Sequence, residues 1–490
     1  MRRSACNPTF IAATLALAVA CGTSAPAPSG PSSASGGHAT GGSAGNGGSS
    51  PGGGIGGQSV ATGGSGAVGP QGGASGASGG SGTGGGTAAT GGTAGQLGSG
   101  GNAGSGVGGK TSAGGAPGNG GMSGRSGAGA SSLAGGAGGA SGVAGSAGTG
   151  GLTPKQMVLD MGAGWNLGNT FDATPNETSW GNPETTQPLI QAVKDAGFKT
   201  VRVPVTWTDH IGAGPNYAID SAWMDKVEQV VKWVLQTGMY AIVNTHHDAD
   251  EQWILLTAAD QPKVTPELDA VWKQIATRFK GYDDHLIFET FNEPHGPMNQ
   301  YDGGNPEQQM VLNAYIATAL AAIRGTGGNN ATRAVMIQPH GASPSQAGVK
   351  ALVIPNDPNL LISIHTYYPT GFSFGPTPTT WGSSAADYTD MGASLDQIAG
   401  WLPNQAIVIG EWGTVSGAEL ASRVSHAKAY AQDVVRRGMC PVWWDNGGTD
   451  FGILNRKATP PSWSYPTVMS ALIAGATAGA LPGAVDATKP

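Results

Sequence analysis

The chain has 490 residues, of which 86 are glycine and only 11% are charged, against roughly 7% glycine and 25% charged residues in ordinary globular proteins. All 31 acidic residues but only 20 of the 24 basic ones lie after residue 151, which leaves that part with a net charge of −11. Such a balance argues against nucleic acid or an anionic membrane surface as partner, because both require a positive footprint, and it is compatible with a neutral substrate.

Arg2 and Arg3 precede an apolar stretch over residues 10–20, about half of the roughly 20 residues that a membrane-spanning helix needs. Residues 1–21 therefore read as a secretion signal. Ala18-Val19-Ala20 suits a signal-peptidase site, and with Cys21 it also resembles a bacterial lipoprotein box, though with Ala18 where leucine is usual. The expectation is an extracellular or cell-surface protein, either released or held by a lipid on Cys21.

Residues 22–151 are mostly Gly, Ala, Ser and Thr, with no aromatic or acidic residue and with Lys110 and Arg125 as the fixed charges. That composition buries too little apolar area to offset its ordering entropy, so a disordered tether with a reach of roughly 60 Å is expected. Its glycines keep no strict three-residue period, which argues against a collagen-like helix. Cys6 leaves with the signal and Cys21 is terminal, so Cys440 stands alone in the folded part, as a core residue without a disulfide.

From Gly164 the chain alternates between strand-like and helical runs. The first strand ends in residues 164–170. Pro188 then precedes Leu189, Ile190, Val193 and Ala196 at helical spacing, closed by Gly197. Strand two is 200–207. Asp220 caps a helix whose stripe is Trp223, Val227, Val230, Val231 and Val234. Strand three is 240–247, and Thr265-Pro266 opens a helix carrying Leu268, Trp272, Ile275 and Phe279. Strand four is 286–294, because Pro294 cannot donate to a ladder. A helix over 306–324 and strands at 334–340, 360–368, 406–412 and 440–445 follow, with a final helix near 467–473 and a tail over 477–490. Eight strand-helix units in about 320 residues predict a (β/α)8 TIM barrel over residues 152–476. A doubly wound sheet would show a glycine-rich phosphate loop after strand one, which Gly164 and Gly168 do not make.

The polar residues gather at the strand ends: Asn166 and Asn169, Arg202, His246 and His247, Asn292 and Glu293, His365 and Tyr367, Glu411, and Trp444. Polar groups in or beside buried strands need partners, and these can serve one another only if the strands converge. Glu293 and Glu411 would then face each other across the barrel mouth. Two facing carboxylates can cleave a glycosidic bond, one protonating the leaving oxygen while the other attacks or activates water.

The strings Gly-Trp-Asn-Leu-Gly-Asn-Thr, Ser-Trp-Gly-Asn-Pro, Val-Arg-Val-Pro-Val-Thr-Trp, Asn-Thr-His-His, Asn-Glu-Pro, His-Thr-Tyr-Tyr-Pro and Glu-Trp-Gly resemble glycoside hydrolase family 5. They are most similar to its subfamily 4 of endo-β-1,4-glucanases, over residues 152–473. The resemblance implies a clan A retaining β-glycosidase with Glu293 as acid/base and Glu411 as nucleophile. Arg202 would keep Glu411 charged, and Tyr367 would hydrogen-bond it. Asn292 would meet the sugar 2-hydroxyl, and His365 would sit beside Glu293. His246 and His247 would bind hydroxyls, Trp444 would stack on the ring, and Trp180 would lie further along the cleft. Asn166 either braces loops or touches sugar. No cofactor or metal is expected, the partner is a β-1,4-linked glucan, and the enzyme should be a monomer.

Two other readings compete. A metallohydrolase could use His246, His247, Asp248, His365 and the glutamates, but adjacent histidines on a strand point to opposite faces, so only one would bind easily. A barrel without turnover could bind glycan at the cell surface. Within the family, xyloglucanase, lichenase and mannanase remain alternatives. Of the remaining residues, Trp165, Trp207, Trp223, Trp233 and Trp272 read as core, and Asp445 and Asn446 as a turn. His210 and His426 read as surface residues, and His340 as either subsite or structure.

Overall fold

The computed structural model describes residues 151–480 apart from 250–251, 297–300, 376–378 and 449. The signal, Cys21, the tether and the tail beyond 480 lie outside the described residues. Eight parallel strands close into a barrel in chain order. They are β1 Gly164–Asn166, β2 Thr200–Val203, β3 Tyr240–Asn244, β4 Leu286–Glu289, β5 Val335–Ile337, β6 Leu360–His365, β7 Ile407–Trp412 and β8 Cys440–Trp443. Closure is the pairing of Gly164 with Val442 and of Trp165 with Trp443.

Period-two alternation divides each strand. Trp165, Val201, Val203, Ala241, Val243, Phe288, Ile362, Ile409 and Trp443 join the large cluster shared with the outer helices. Ile242, Ile287, Met336, Leu361, Val408 and Val442 form a separate inner cluster with Met157, Val158 and Met161. Those last three come from or adjoin the helix Pro154–Asp160, which therefore plugs the end of the barrel where the strands begin. Thr153 starts that helix with a capping box shared with Gln156. Each fully buried aliphatic side chain contributes about 1.5–3 kcal/mol, so the plug anchors the chain entry to the barrel.

The expected strands are real but shorter. Pro204 ends β2 by removing a ladder donor, and β4 stops at Glu289, so Glu293 stands on the loop beyond it rather than on the strand tip. Asp220 caps its helix as expected, its carboxylate accepting from the N–H of Ala222 and Trp223. The helix expected to open at Thr265-Pro266 instead begins at Gln261, with Pro262 in its first turn and Pro266 inside it. The last helix runs Pro466–Gly479, past residue 476.

Trp165, Trp207, Trp223 and Trp272 are core residues, Trp233 packs partly buried against them, and Cys440 is buried. His426 is also buried, contrary to its reading as a surface residue, with Nε2 2.8 Å from the Tyr368 carbonyl. The 3.6-residue period of its helix puts it on the buried face with Ser422, Arg423, Ala427 and Tyr430. His210 is half-buried and stacks on Trp223 at 3.9 Å. His340 is buried against Gly304 with neither ring nitrogen hydrogen-bonded among the described residues.

Candidate active site

Above the apolar plug, the next inward-facing layer is polar: Asn166 from β1, Arg202 from β2, Asn244 from β3, Glu289 from β4 and Ser363 from β6, all fully buried. Arg202 organises it. Its Nε donates to Glu289 Oε2 at 2.7 Å and its Nη1 to Asn166 Oδ1 at 2.9 Å. Nη1 also donates to Glu411 Oε1 at 2.8 Å, and Nη2 to Asn292 Oδ1 at 2.8 Å. Glu289 is saturated in turn, accepting from Asn244 Nδ2 at 2.9 Å and Ser363 Oγ at 2.7 Å. A buried charge persists only when paired and hydrogen-bonded in this way.

Glu411 reaches Arg202 through a β-bulge. Val408 and Gly410 point inward, so strict alternation would send Glu411 outward. The register instead shifts, with His365 paired to Glu411, and a bulge of this kind re-aims a side chain. Glu411 turns into the barrel, while Trp412 turns out to stack on Tyr430 at 4.4 Å and to meet Trp443 at 5.0 Å. Gly410 permits this, since a Cβ there would lie 2.7 Å from Ser363 Oγ and 2.9 Å from His365 Nε2.

Glu293 and Glu411 are brought together. One oxygen of each and a nitrogen of His365 lie within 4.8 Å of one another, which suits the about 5–5.5 Å of retaining glycosidases and not the about 6.5–9.5 Å of inverting ones. His365 Nδ1 is 2.7 Å from Glu293 Oε1 and 3.7 Å from Glu411 Oε1. The Tyr367 hydroxyl donates to Glu411 Oε2 at 2.9 Å. Burial lifts the Glu411 carboxyl above its ordinary value; His365 and Arg202 pull it down, Glu293 pushes it up, and the Tyr367 hydrogen bond pulls it down. Arg202 therefore moderates the proton affinity of Glu411 but does not bring it below the ordinary range, because burial outweighs it. Burial likewise takes His365 down to about 4 and His246 well below 6.5, so both are neutral near pH 7.

The remaining expected residues form the walls. Asn292 is held through its carbonyl by Arg202, which turns its NH2 to the other side. His246 lies parallel to Trp444 at 5.8 Å, and its Nδ1 is 3.1 Å from the donor Asn244 Nδ2, so the imidazole proton is assigned to Nε2. Trp444 is half-buried, and Gly168 faces it so closely that a Cβ would touch the indole at 2.8 Å. Trp180 is half-buried, its ring 5.4 Å from His247. Asn166 belongs to the frame and not to the wall. It is fully buried, and its NH2 is used by the carbonyls of Gly410, Val442 and Trp443. Asp445 holds the loop behind Trp444, accepting from the N–H of Ile453 and Leu454 and pairing with Arg456 at 2.9 Å. Beside Glu293 a cleft of about 320 Å³ opens, walled by Tyr301, Tyr367, Tyr368 and Phe374.

The expectation that His246 and His247 diverge is overturned. β3 ends at Asn244, so strand alternation no longer applies, and the two rings meet edge to face at 4.5 Å. With Asp172 they bring three ligand-type atoms within 4.8 Å, as do Glu293, His365 and Glu411. Both clusters carry metal-ligand atom types, but Glu411 already accepts from Arg202 and Tyr367, and Asp172 from the N–H of Asn169 and Thr170.

Sequence reasoning missed Glu289, Asn244, Ser363 and the bulge at Gly410. Glu289 did carry a signal, since a carboxylate set between the apolar run 286–288 and Phe291 needs a buried partner.

Residues 166–450 match the family Cellulase (glycosyl hydrolase family 5). Endoglucanase B of Clostridium cellulovorans is 44% identical over 342 residues, covering 67% of this chain and 77% of that protein. The cellulase/esterase CelE of Acetivibrio thermocellus is 44% identical over 331 residues, covering 65% of this chain but only 40% of the relative. Among solved structures, a GH5-4 broad specificity endoglucanase from Clostridium acetobutylicum superposes with a TM-score of 0.63 at 43% identity, covering 66% of this chain and 100% of that one. The chain thus belongs to glycoside hydrolase family 5, and within that family it resembles the subfamily 4 endoglucanases.

Proposed function

We propose that the chain is a retaining endo-β-1,4-glucanase that works by double displacement. The observation that carries this reading is the pair Glu293 and Glu411, with oxygens within 4.8 Å, one of them bonded to a buried arginine. Glu411 attacks the anomeric carbon while Glu293 gives its proton to the departing glycosidic oxygen. Water, deprotonated by Glu293, then releases the glycosyl-enzyme with its configuration restored. Tyr367 and Arg202 hold one Glu411 oxygen each. Asn292 faces the sugar 2-hydroxyl, His246 and His247 bind further hydroxyls, and Trp444 offers a flat apolar surface to the ring. The cleft walled by Tyr301 and Tyr368, on the Glu293 side, receives the leaving chain.

Glu411→Ala tests the assignment: it should be nearly inactive, and azide should restore turnover of an activated aryl β-cellobioside with an inverted product. Undiminished activity would remove Glu411 from its role. A panel of cellulose, mixed-linkage glucan, xyloglucan and glucomannan with product sizing defines the substrate range, and the broad specificity named for the solved relative supports a wide one. Binding without release of reducing ends would favour a glycan-binding barrel instead. The signal-like residues 1–21 support export and attachment at the cell surface through Cys21, with the enzyme acting as a monomer. Loss of membrane-fraction activity in Cys21→Ala tests the anchor.

A further inference from the structure

Glu289 is a carboxylate buried below the reacting pair, and the double displacement does not use it. We propose that Glu289 is a positioning residue that shares the charge of Arg202 with Glu411 and so sets how basic the nucleophile is; this rests on the reading of Glu411 as nucleophile. One guanidinium serves both carboxylates, Nε to Glu289 at 2.7 Å and Nη1 to Glu411 at 2.8 Å, in a setting where every partner is buried. An arginine facing Glu411 alone would place a full positive charge against it, and an opposite charge at that range lowers a carboxylate by about 1–3 pH units. A nucleophile held so firmly would attack poorly. Glu289 draws off part of that charge, while Asn244 and Ser363 satisfy its remaining lone pairs and keep it in place.

The charged and titratable groups around this axis come from every neighbouring strand. Arg202 stands on β2, His246 follows β3, and Glu289 and Glu293 lie on and beyond β4. His365 and Tyr367 lie at the end of β6. Burial alone would lower the Arg202 guanidinium, but Glu289 and Glu411 together outweigh it and leave it above its ordinary value. The arginine thus stays charged throughout, and the variable is how its charge is divided.

The test is the pH profile of kcat/KM on an aryl β-cellobioside. Glu289→Gln removes the competing charge without changing the shape, so the acid limb should move down by about one pH unit. kcat should fall roughly tenfold while KM stays within about twofold. Glu289→Asp should restore the limb. Ser363→Ala, a smaller change that serves as the second arm where the glutamine variant does not fold, strips one donor from Glu289 and strengthens its pull on Arg202. Its limb should move in the opposite direction, to higher pH. A limb that stays put in Ser363→Ala and in folded Glu289→Gln overturns the inference. Trapping with a 2-fluoro cellobioside and mapping the labelled residue separates the two readings. Label on a residue other than Glu411 defeats the nucleophile assignment, whereas label on Glu411 with an unmoved limb defeats only the role of Glu289.

Discussion

The two halves of the barrel interior are built from the same strands and obey opposite rules. The half near the strand starts is filled by Ile242, Ile287, Met336, Leu361, Val408 and Val442 and plugged by Met157 and Val158. The half near the strand ends holds Asn166, Arg202, Asn244, Glu289 and Ser363, equally buried but polar. Two residues along a strand, from Ile287 to Glu289, suffice to cross from one to the other. Below, stability comes from area removed from water and depends little on orientation. Above, burial is tolerated only because each donor meets an acceptor, and orientation is everything.

Substitutions in the two halves should therefore fail differently. Glu411→Ala should cost on the order of 10⁴- to 10⁶-fold in kcat with little change in melting, because Arg202 keeps Glu289 as partner. Arg202→Met, which leaves two buried carboxylates unpaired, should cost about 3–5 kcal/mol in denaturant unfolding along with activity. Ile287→Ala in the lower half should cost about 2–5 kcal/mol of stability yet leave kcat and the pH profile of the folded fraction unchanged. An altered pH limb there would erase the distinction between the halves.

Two smaller effects sharpen it. Tyr367→Phe removes a donor that favours ionised Glu411, so the acid limb of kcat/KM should move to higher pH by less than about one unit. The buried histidines His365, His426 and His340, each taken from 6.5 down to about 4 chiefly by burial, stay neutral in the fold. The unfolded chain binds more protons below pH 6.5. Their contribution is thus fully present above that pH and is lost as pH falls toward 4. Melting temperature should decline across that window, and a flat profile from 6.5 to 4 would contradict it.

How much of this was legible depended on whether the cause was local. Capping by Asp220 is a property of a few neighbouring residues and could be read directly, whereas the expected second strand ran through Pro204, which in fact ends it at Val203. The strand ends were placed too late, because a polar residue near a tip reads the same on the ladder as one or four residues beyond it. Glu293 was such a case, as were His246 and His247, whose supposed divergence assumed a strand that had already ended. His426 looked exposed because a single histidine in a helix does not declare its face.

By itself the sequence determined the eight strand-helix units and the gathering of polar residues at one end of them, because periodicity and chain breakers act within a few residues. Tertiary structure decided which of those residues meet. The bulge that turns Glu411 inward and the arginine shared with Glu289 both arise from register and closure between strands far apart in the chain. No local pattern encodes a contact whose two halves are separated by 209 residues, as Arg202 and Glu411 are.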